Sequence, residues 1–424
     1  MPLRRSVCRH LPWAPCVGSV LAGLVLTTAA ADQAPAEWML ISRYLSGPVA
    51  QVHEEAVTAA AAADSTMPAL LANPEVAVRR EDANGIAGAT TEAVGGSLTV
   101  DLGFASLSAR SAAQLRGQRG EHLRRAQGLT AICSFRRDLL SAWDASARMA
   151  ITTATLARLE ALLAALSERA EAGGIPDYDR DRLLLVMASH QLDAAAAQGT
   201  YAAQQARLAA QLDSPGPFSL SLSSPPPLAP LADHLSRLQL HPRLAVLQLE
   251  AEAAAQDRTA ARRSAVPDLH LSGGVRWDAP PDGGTAAQGH ELSASLELPL
   301  FDLERSERSA AAAREAAAVA ALEDAQAMTR AEVEGAWERA SALSSLSPLT
   351  WQDGERIWED TQTRHLAGEG SIDELLRVAE ELADARLAMA EGEYRYRSAR
   401  LELSCAAGHF DVPEIQAIFE GMTP

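Results

Sequence analysis

The chain is written twice, and this restricts its fold more than any other feature. LSARSAAQLR at 107–116 returns as RSERSAAAAR at 305–314, which sets Arg110 against Arg308 at an offset of 198 residues. AGGIPDYDRDRLL, starting at Ala172, returns as AGEGSIDELLRV, starting at Ala367, and Tyr201 and Tyr396 keep that offset of 195. Solenoid arrays repeat every ~20–50 residues. A period near 200 is instead a duplicated domain, and any fold must use one order of elements twice.

That order can be read in both halves. A first helix covers about 48–72 and again 234–265, each followed by a proline, Pro74 or Pro267. Two strands follow, then a long alanine-rich helix over about 104–170 and again 302–367. A glycine turn (Gly173 and Gly174; Gly368 and Gly370) leads to a return helix over about 178–212 and 371–407. The repeats are therefore placed at 32–213 and 233–410, with a Pro/Ser-rich linker at 214–232 and a C-terminal tail at 411–424. Pro348 interrupts the second long helix and is expected to kink it. At ~1.5 Å rise per residue each long helix spans about 100 Å, and the two shorter helices of each half sum to nearly the same length. The expected shape of each half is a helical rod with a β-hairpin at one end and a glycine turn at the other.

Composition supports thin, closely packed helices. Hydrophobic residues make up 47% of the chain but aromatics only 4%, so much of the apolar content is alanine. Alanine favours helix and buries little area.

Residues 1–31 read as a secretory signal peptide: Arg4, Arg5 and Arg9 precede a short apolar run at 17–26, and Ala29–Ala31 offer a cleavage site before Asp32. Losing those three arginines takes the formal net charge from −18 to −21, which argues against nucleic acid as a partner. No CxxC, HExxH, GxSxG or GxxxxGK[ST] pattern occurs, so the sequence gives no support to a metal site, a cofactor or an enzyme. Beyond the signal peptide no apolar run reads as a membrane-spanning helix. Cys133 and Cys405 sit at similar heights, about 40 and 37 residues from their turns. A disulfide is compatible with that layout, and buried free thiols are the reading preferred here.

The strands are two-faced. Leu269, Leu271, Val275 and Trp277 alternate with His270, Ser272, Gly274 and Arg276. Leu292, Ala294, Leu296 and Leu298 alternate with Glu291, Ser293, Ser295 and Glu297. The first half is weaker: Val76 and Val78 lead in, and Leu98, Val100 and Leu102 alternate with Ser97, Thr99 and Asp101. Strands of about 8–11 residues suffice to cross a bilayer at a tilt. Four strands cannot close a barrel, and lipid tolerates no open edge, so several chains must contribute; three would give twelve strands. Trp277, at a strand end, suits the membrane interface. A small soluble sheet with its apolar face on a core is the competing reading.

The second half, with ARRSAVPDLHL, the strand exit Pro299-Leu300-Phe301-Asp302 and RHLAGEGSIDELLRVAEELADARLAMAEGEYRYRSARLEL, resembles the outer-membrane efflux protein family, the TolC-like outer-membrane factors. The first half, from NPEVAVRRED, resembles the heavy-metal-efflux branch, although its strand exit, VDLGF, lacks the family's proline. The resemblance covers roughly 46–410. It implies a mainly α fold: a long α-helical barrel plus four strands per chain, with a homotrimer forming a 12-stranded β-barrel in the outer membrane. It further implies a passive exit duct that meets a periplasmic adaptor protein and an inner-membrane pump, with no catalytic residue and no cofactor. Metal ions are the expected cargo, with multidrug export or type I protein secretion as alternatives and a soluble periplasmic coiled-coil adaptor as the alternative of another class. At the turns, Asp177, Asp179, Arg180, Asp373, Glu374 and Arg377 are periplasmic gate candidates, and Gly173, Gly174, Gly368 and Gly370 the adaptor-contact positions. Glu374 matches an acid that lines the constriction in relatives; Arg377 falls where a second acid often stands. The acids also suit helix N-termini, so capping stays open beside gating.

Overall fold

A run of 67 residues, Ala105–Glu171, forms one uninterrupted helix, and the rest of the molecule is laid along it. The computed structural model describes residues 36–66, 73–82, 90–171, 176–218, 220, 222, 224–279, 284–285, 287–296, 305–344 and 351–421. The expected signal peptide at 1–31, Gly173 and Gly174, Leu298, the 299–302 motif and Pro348 lie outside them. In chain order the elements are α1 (Glu37–Leu45), α2 (Pro48–Asp64), β1 (Glu75–Asp82), β2 (Thr90–Val100), α3 (Ala105–Glu171) and α4 (Asp177–Gln211). Then come α5 (Leu231–Ser236), a 3-10 turn (Arg237–Leu240), α6 (Pro242–Arg263), β3 (Leu269–Ala279) and β4 (Ala287–Leu296). The chain ends with α7 (Arg305–Ser344), α8 (Trp351–Leu366), α9 (Ile372–Ala407) and α10 (Pro413–Gly421).

The first helix starts at Pro48 as expected, at a position where its missing N–H costs nothing, and a further helix, α1, precedes it. Its counterpart needs correction: it begins as α5 and a 3-10 turn, because Pro242 opens α6 with His241 as N-cap, the Nδ1 accepting from the Arg243 N–H at 3.2 Å. The second long helix is described as α7 and α8, which flank 345–350. Residues 413–421 of the tail form α10, with Ile415 and Phe419 buried.

The two repeats do not stand as separate rods. Near the sheet α3 packs on α2 and α6, and α6 packs on α7; away from it α3 packs on α4 and α9, and α9 packs on α7 and α8. The second repeat therefore interleaves with the first. Small side chains allow the close approach: Ala112, Ala113, Ala251, Ala253 and Ala254 are buried, and a Cβ on Gly120 would come within 2.4 Å of the Ala61 Cβ. Arg119 of α3 sits between flanking helices, pairing with Asp64 of α2 at 2.5 Å and with Glu250 of α6, and Arg116 pairs with Asp257 of α6. One 18-residue window of α3 is apolar enough to cross a membrane by length and composition, contrary to the sequence reading. At about 100 Å the helix is some three times the thickness of a hydrocarbon core, and α2, α4, α6 and α9 pack along it, with α1 and α10 at mid-height.

The main core is a girdle at mid-height. Leu40 and Ile41 of α1, Ile132, Phe135 and Leu139 of α3, Leu208 of α4, Phe410 and the α10 residues Ile415 and Phe419 meet there. Tyr44 stacks on Phe135 at 4.4 Å. Cys133 and Cys405 form a disulfide with Cα atoms 6.0 Å apart, which corrects the free-thiol reading. It joins α3 to α9, neighbours that no sequence pattern pairs. The linker is irregular, as its prolines demand, yet its backbone is held by side chains. Gln205 bonds both the N–H and the carbonyl of Phe218, at 2.6 and 3.0 Å, and Trp337 Nε1–H donates to the Ala229 carbonyl at 3.0 Å.

Candidate functional site

The sheet is antiparallel in the order β1-β2-β3-β4, so two hairpins are joined through β2 and β3. That central pairing runs unbroken from Thr90↔Ala279 to Val100↔Leu269. The weaker first hairpin is fully in register with the second, from Glu75↔Ser97 to Asp82↔Thr90, despite its missing proline. Because side chains alternate, register fixes the faces. One face carries Val76, Val78, Val94, Leu98, Leu269, Leu271, Val275, Trp277, Leu292 and Leu296; the pairs Val78↔Val94, Val94↔Val275, Leu98↔Leu271 and Leu269↔Leu296 lock it together. Every described member of the sequence-derived apolar strand set thus falls on a single face.

Among the described residues, no core lies against that face. Leu292 is 89% exposed, Val76 78% and Val78 77%. Leaving such side chains in water forfeits about 1.5–3 kcal/mol each. The opposite face is wet and internally bonded: Thr99 meets His270 at 2.9 Å, Ser272 meets Ser293 at 2.8 Å, and Asp278 accepts from Thr91 at 2.8 Å and from Arg276 at 2.9 Å. The two faces are inverted relative to a soluble sheet.

The sheet is coupled to the helices at the β2–α3 corner. Asp101 accepts from the Ser106 N–H at 2.8 Å, the Phe104 backbone turns to φ 56°, and Arg263 of α6 donates to the Ser108 hydroxyl at 2.9 Å. A Cβ on Gly103 would lie 2.1 Å from the Arg263 carbonyl oxygen, so only glycine fits there.

The other end of the molecule carries the charged turns. In the first, Asp177 and Asp179 lie in the opening turn of α4. Arg180 pairs with Asp181 at 3.0 Å and with Asp177 at 3.5 Å. Hydrogen bonding and charge from Asp181, then charge from Asp177, hold the Arg180 guanidinium above its ordinary pKa. In the second, Gly368 adopts φ +82° after α8, a left-handed conformation that favours glycine. Ser371 then caps α9 by accepting from the Glu374 N–H at 3.2 Å. Asp373 and Glu374 occupy the first turn of α9, Glu374 lies 4.0 Å from Arg364, and Arg377 pairs with Glu381 at 3.3 Å. The structure brings the two turns together through Arg182 and Asp373, 3.3 Å apart and joining α4 to α9. Arg182 was not among the gate candidates; its partner is 191 residues away, and the repeat offset of 195 sets it against Arg377 instead. Above the turns Glu355 of α8 pairs with Arg158 of α3 at 2.9 Å and with Arg386 of α9. Burial, then the charge of Arg158, holds the Arg386 guanidinium below its ordinary pKa. Leu159, Leu162, Leu183, Met187, Trp358, Leu375 and Leu382 pack around this level.

Long helices packed side by side under a four-stranded antiparallel sheet with an uncovered apolar face define the fold, and solved structures share it. The chain matches CusC, whose structures are described in terms of folding and transmembrane channel formation, at TM-score 0.69 and 17% identity, covering 88% of this chain and 92% of that one. It matches the outer membrane protein VceC from Vibrio cholerae at TM-score 0.73 and 19% identity over 88% and 96%. A membrane protein from Pseudomonas aeruginosa matches at TM-score 0.66 and 22% identity over 89% and 92%. Residues 236–409 match the family model described as outer membrane efflux protein. No curated protein matches the chain.

Proposed function

We propose that this chain is a member of the outer-membrane efflux family and serves as the exit duct of a tripartite efflux system. Three copies form a homotrimer in the outer membrane after export directed by residues 1–31. The observation that carries the reading is the uncovered apolar face of the sheet, backed by a hydrogen-bonded polar face. In lipid the apolar face is solvated and the polar face lines a lumen.

The edges support closure by further copies. β1 and β4 are unpaired on their outer sides, β1 follows α2, and β4 precedes α7. One flank of the chain is thus β1 and α2 with α4 beyond, and the other is β4, α7 and α8. Joining the first flank of one copy to the second flank of the next is a head-to-tail contact that closes into a ring. Three copies give twelve strands and leave no edge in lipid. No bond is made or broken, and the chain acts as a conduit. The charged turns, at the periplasmic end, are the gate and the docking site for a periplasmic adaptor that brings in the inner-membrane pump. Rings of Asp177, Asp179, Asp373 and Glu374 favour cations at that constriction. With the NPEVAV strand start, this favours metal ions over drugs or proteins as cargo. A soluble periplasmic scaffold, the competing reading, leaves the apolar face without cover.

Partitioning of the mature protein from cell envelopes, followed by its mass in detergent, tests the reading. A detergent-requiring outer-membrane trimer that conducts ions in planar bilayers is the expected result. A buffer-soluble monomer overturns it. Growth of a deletion strain on metal salts and on a drug panel then decides the cargo.

A further inference from the structure

We propose that His365 is the positioning residue that fixes the shape of the second charged turn, and that docking of the periplasmic adaptor depends on that shape; the second part rests on the duct reading above. His365 lies in the last turn of α8 and is 3% exposed, an unusual burial for a polar ring beside a surface turn. Its Nδ1 is 3.0 Å from the Gly370 carbonyl oxygen. A carbonyl only accepts, so Nδ1 donates, and the imidazole bridges the end of one helix to the residue before the cap of the next. The Nε2 is buried without a hydrogen-bond partner among the described residues, so the single Nδ1 bond and packing orient the ring.

Everything between the two ends of this bridge is tied to the backbone. The Gly368 N–H donates to the His365 carbonyl at 2.9 Å, and the Glu369 N–H to the Arg364 carbonyl at 2.9 Å. Gly368 takes the left-handed conformation, and Ser371 caps α9. The outcome is a loop of Ala367, Gly368 and Glu369 that is exposed to solvent yet held from beneath. A surface fixed before binding loses less conformational freedom when a partner seats on it. The repeat offset of 195 puts Ala170 at the corresponding place in the first half, which has no side chain able to make such a bridge. The His365 bridge is therefore a feature of the second turn that the repeat does not duplicate in sequence.

The test uses the full chain in its native outer membrane. His365→Leu fills the space and removes the donor; His365→Asn keeps a short side-chain donor. Hydrogen exchange by mass spectrometry is read on the peptide spanning 364–371 of the purified assembled protein. In parallel, a photo-crosslinking benzoylphenylalanine at Glu369 reports in intact cells on the adaptor, identified by mass spectrometry, with variants compared at equal outer-membrane levels. Exchange about tenfold faster in His365→Leu, as for loss of one enclosed hydrogen bond, with a matching fall in adaptor adduct and recovery of both in His365→Asn, is the expected result. Unchanged exchange in His365→Leu overturns the positioning role. Faster exchange with undiminished adduct overturns the link to docking. Absence of any adaptor adduct from the otherwise unaltered chain counts against the duct reading itself, and the exchange comparison still decides what His365 does.

Discussion

The sheet and the helices that carry it obey opposite burial rules. In the helices, Phe135, Leu139, Leu208 and Ile415 are shut away and charges such as Arg119, Glu250 and Asp257 bridge neighbouring rods. In the sheet, Val76, Val78 and Leu292 stand uncovered while Thr99, His270, Ser272 and Ser293 bond to one another. One chain thus carries two solvent preferences, and the change occurs within a few residues, at the Asp101–Ser106 corner. The lesson is that exposure must be judged against the surrounding medium. An apolar face without a core is a defect in water and a requirement in lipid.

The strongest test of this contrast is a charge on each face. Leu292→Arg is expected to abolish outer-membrane assembly, since arginine near the bilayer midplane costs about 2–4 kcal/mol per copy. Ser295→Arg, on the polar face, is expected to assemble normally. Density fractionation and heat-modifiable migration of the two variants decide; equal behaviour would dissolve the distinction between the faces.

In the helical body, Cys133→Ala removes a cross-link between residues 272 apart in sequence. The chain-entropy model puts its contribution at roughly 5 kcal/mol. The expected outcome is a lower thermal unfolding temperature in detergent, reproduced by reductant on the unaltered chain, with insertion retained.

A smaller effect is expected from pH. Burial above all holds the His234, His241 and His409 imidazoles below their ordinary value of 6.5. For His234 and His409 the charge of Asp411 opposes this, while Arg237 adds to it. The unfolded chain therefore binds protons before the folded one does. Stability is fully present above pH 6.5 and is lost as pH falls below it, until the folded-state values are passed. Melting curves between pH 7.5 and 5 measure this, and a His234→Gln variant should show a shallower decline.

The smallest effect belongs to the charged turns. Arg182 and Asp373 are largely exposed, and such pairs contribute about 0–1 kcal/mol. Asp373→Asn should leave melting unchanged, yet raise channel opening in planar-bilayer recordings if the pair latches the gate. A large loss of stability would show that this end is built like the girdle.

Much of the fold was legible from the chain. The 67-residue helix, the turn at Gly368 and the two-faced strands follow from patterns only two to four residues deep, and the internal repeat was read from an offset near 195. The apolar strand set was legible too, because a period of two marks a face without naming its medium. The break at His241–Pro242 was written in a proline but overridden by the long apolar pattern around it. Arg182, His365 and the disulfide were not legible. Each depends on a partner brought near by folding or on the burial of an ordinary-looking ring.

By itself, then, the sequence determined the types of element, their order and their repetition, because helix and strand preferences are short-range. Only the tertiary structure decided that the second repeat packs against the first, that Cys133 faces Cys405, that Asp373 meets Arg182, and that Val76, Val78 and Leu292 on the apolar face of the sheet stand exposed. Those outcomes belong to contacts between residues roughly 130 to 270 positions apart, and no local pattern encodes which side of an element another will cover.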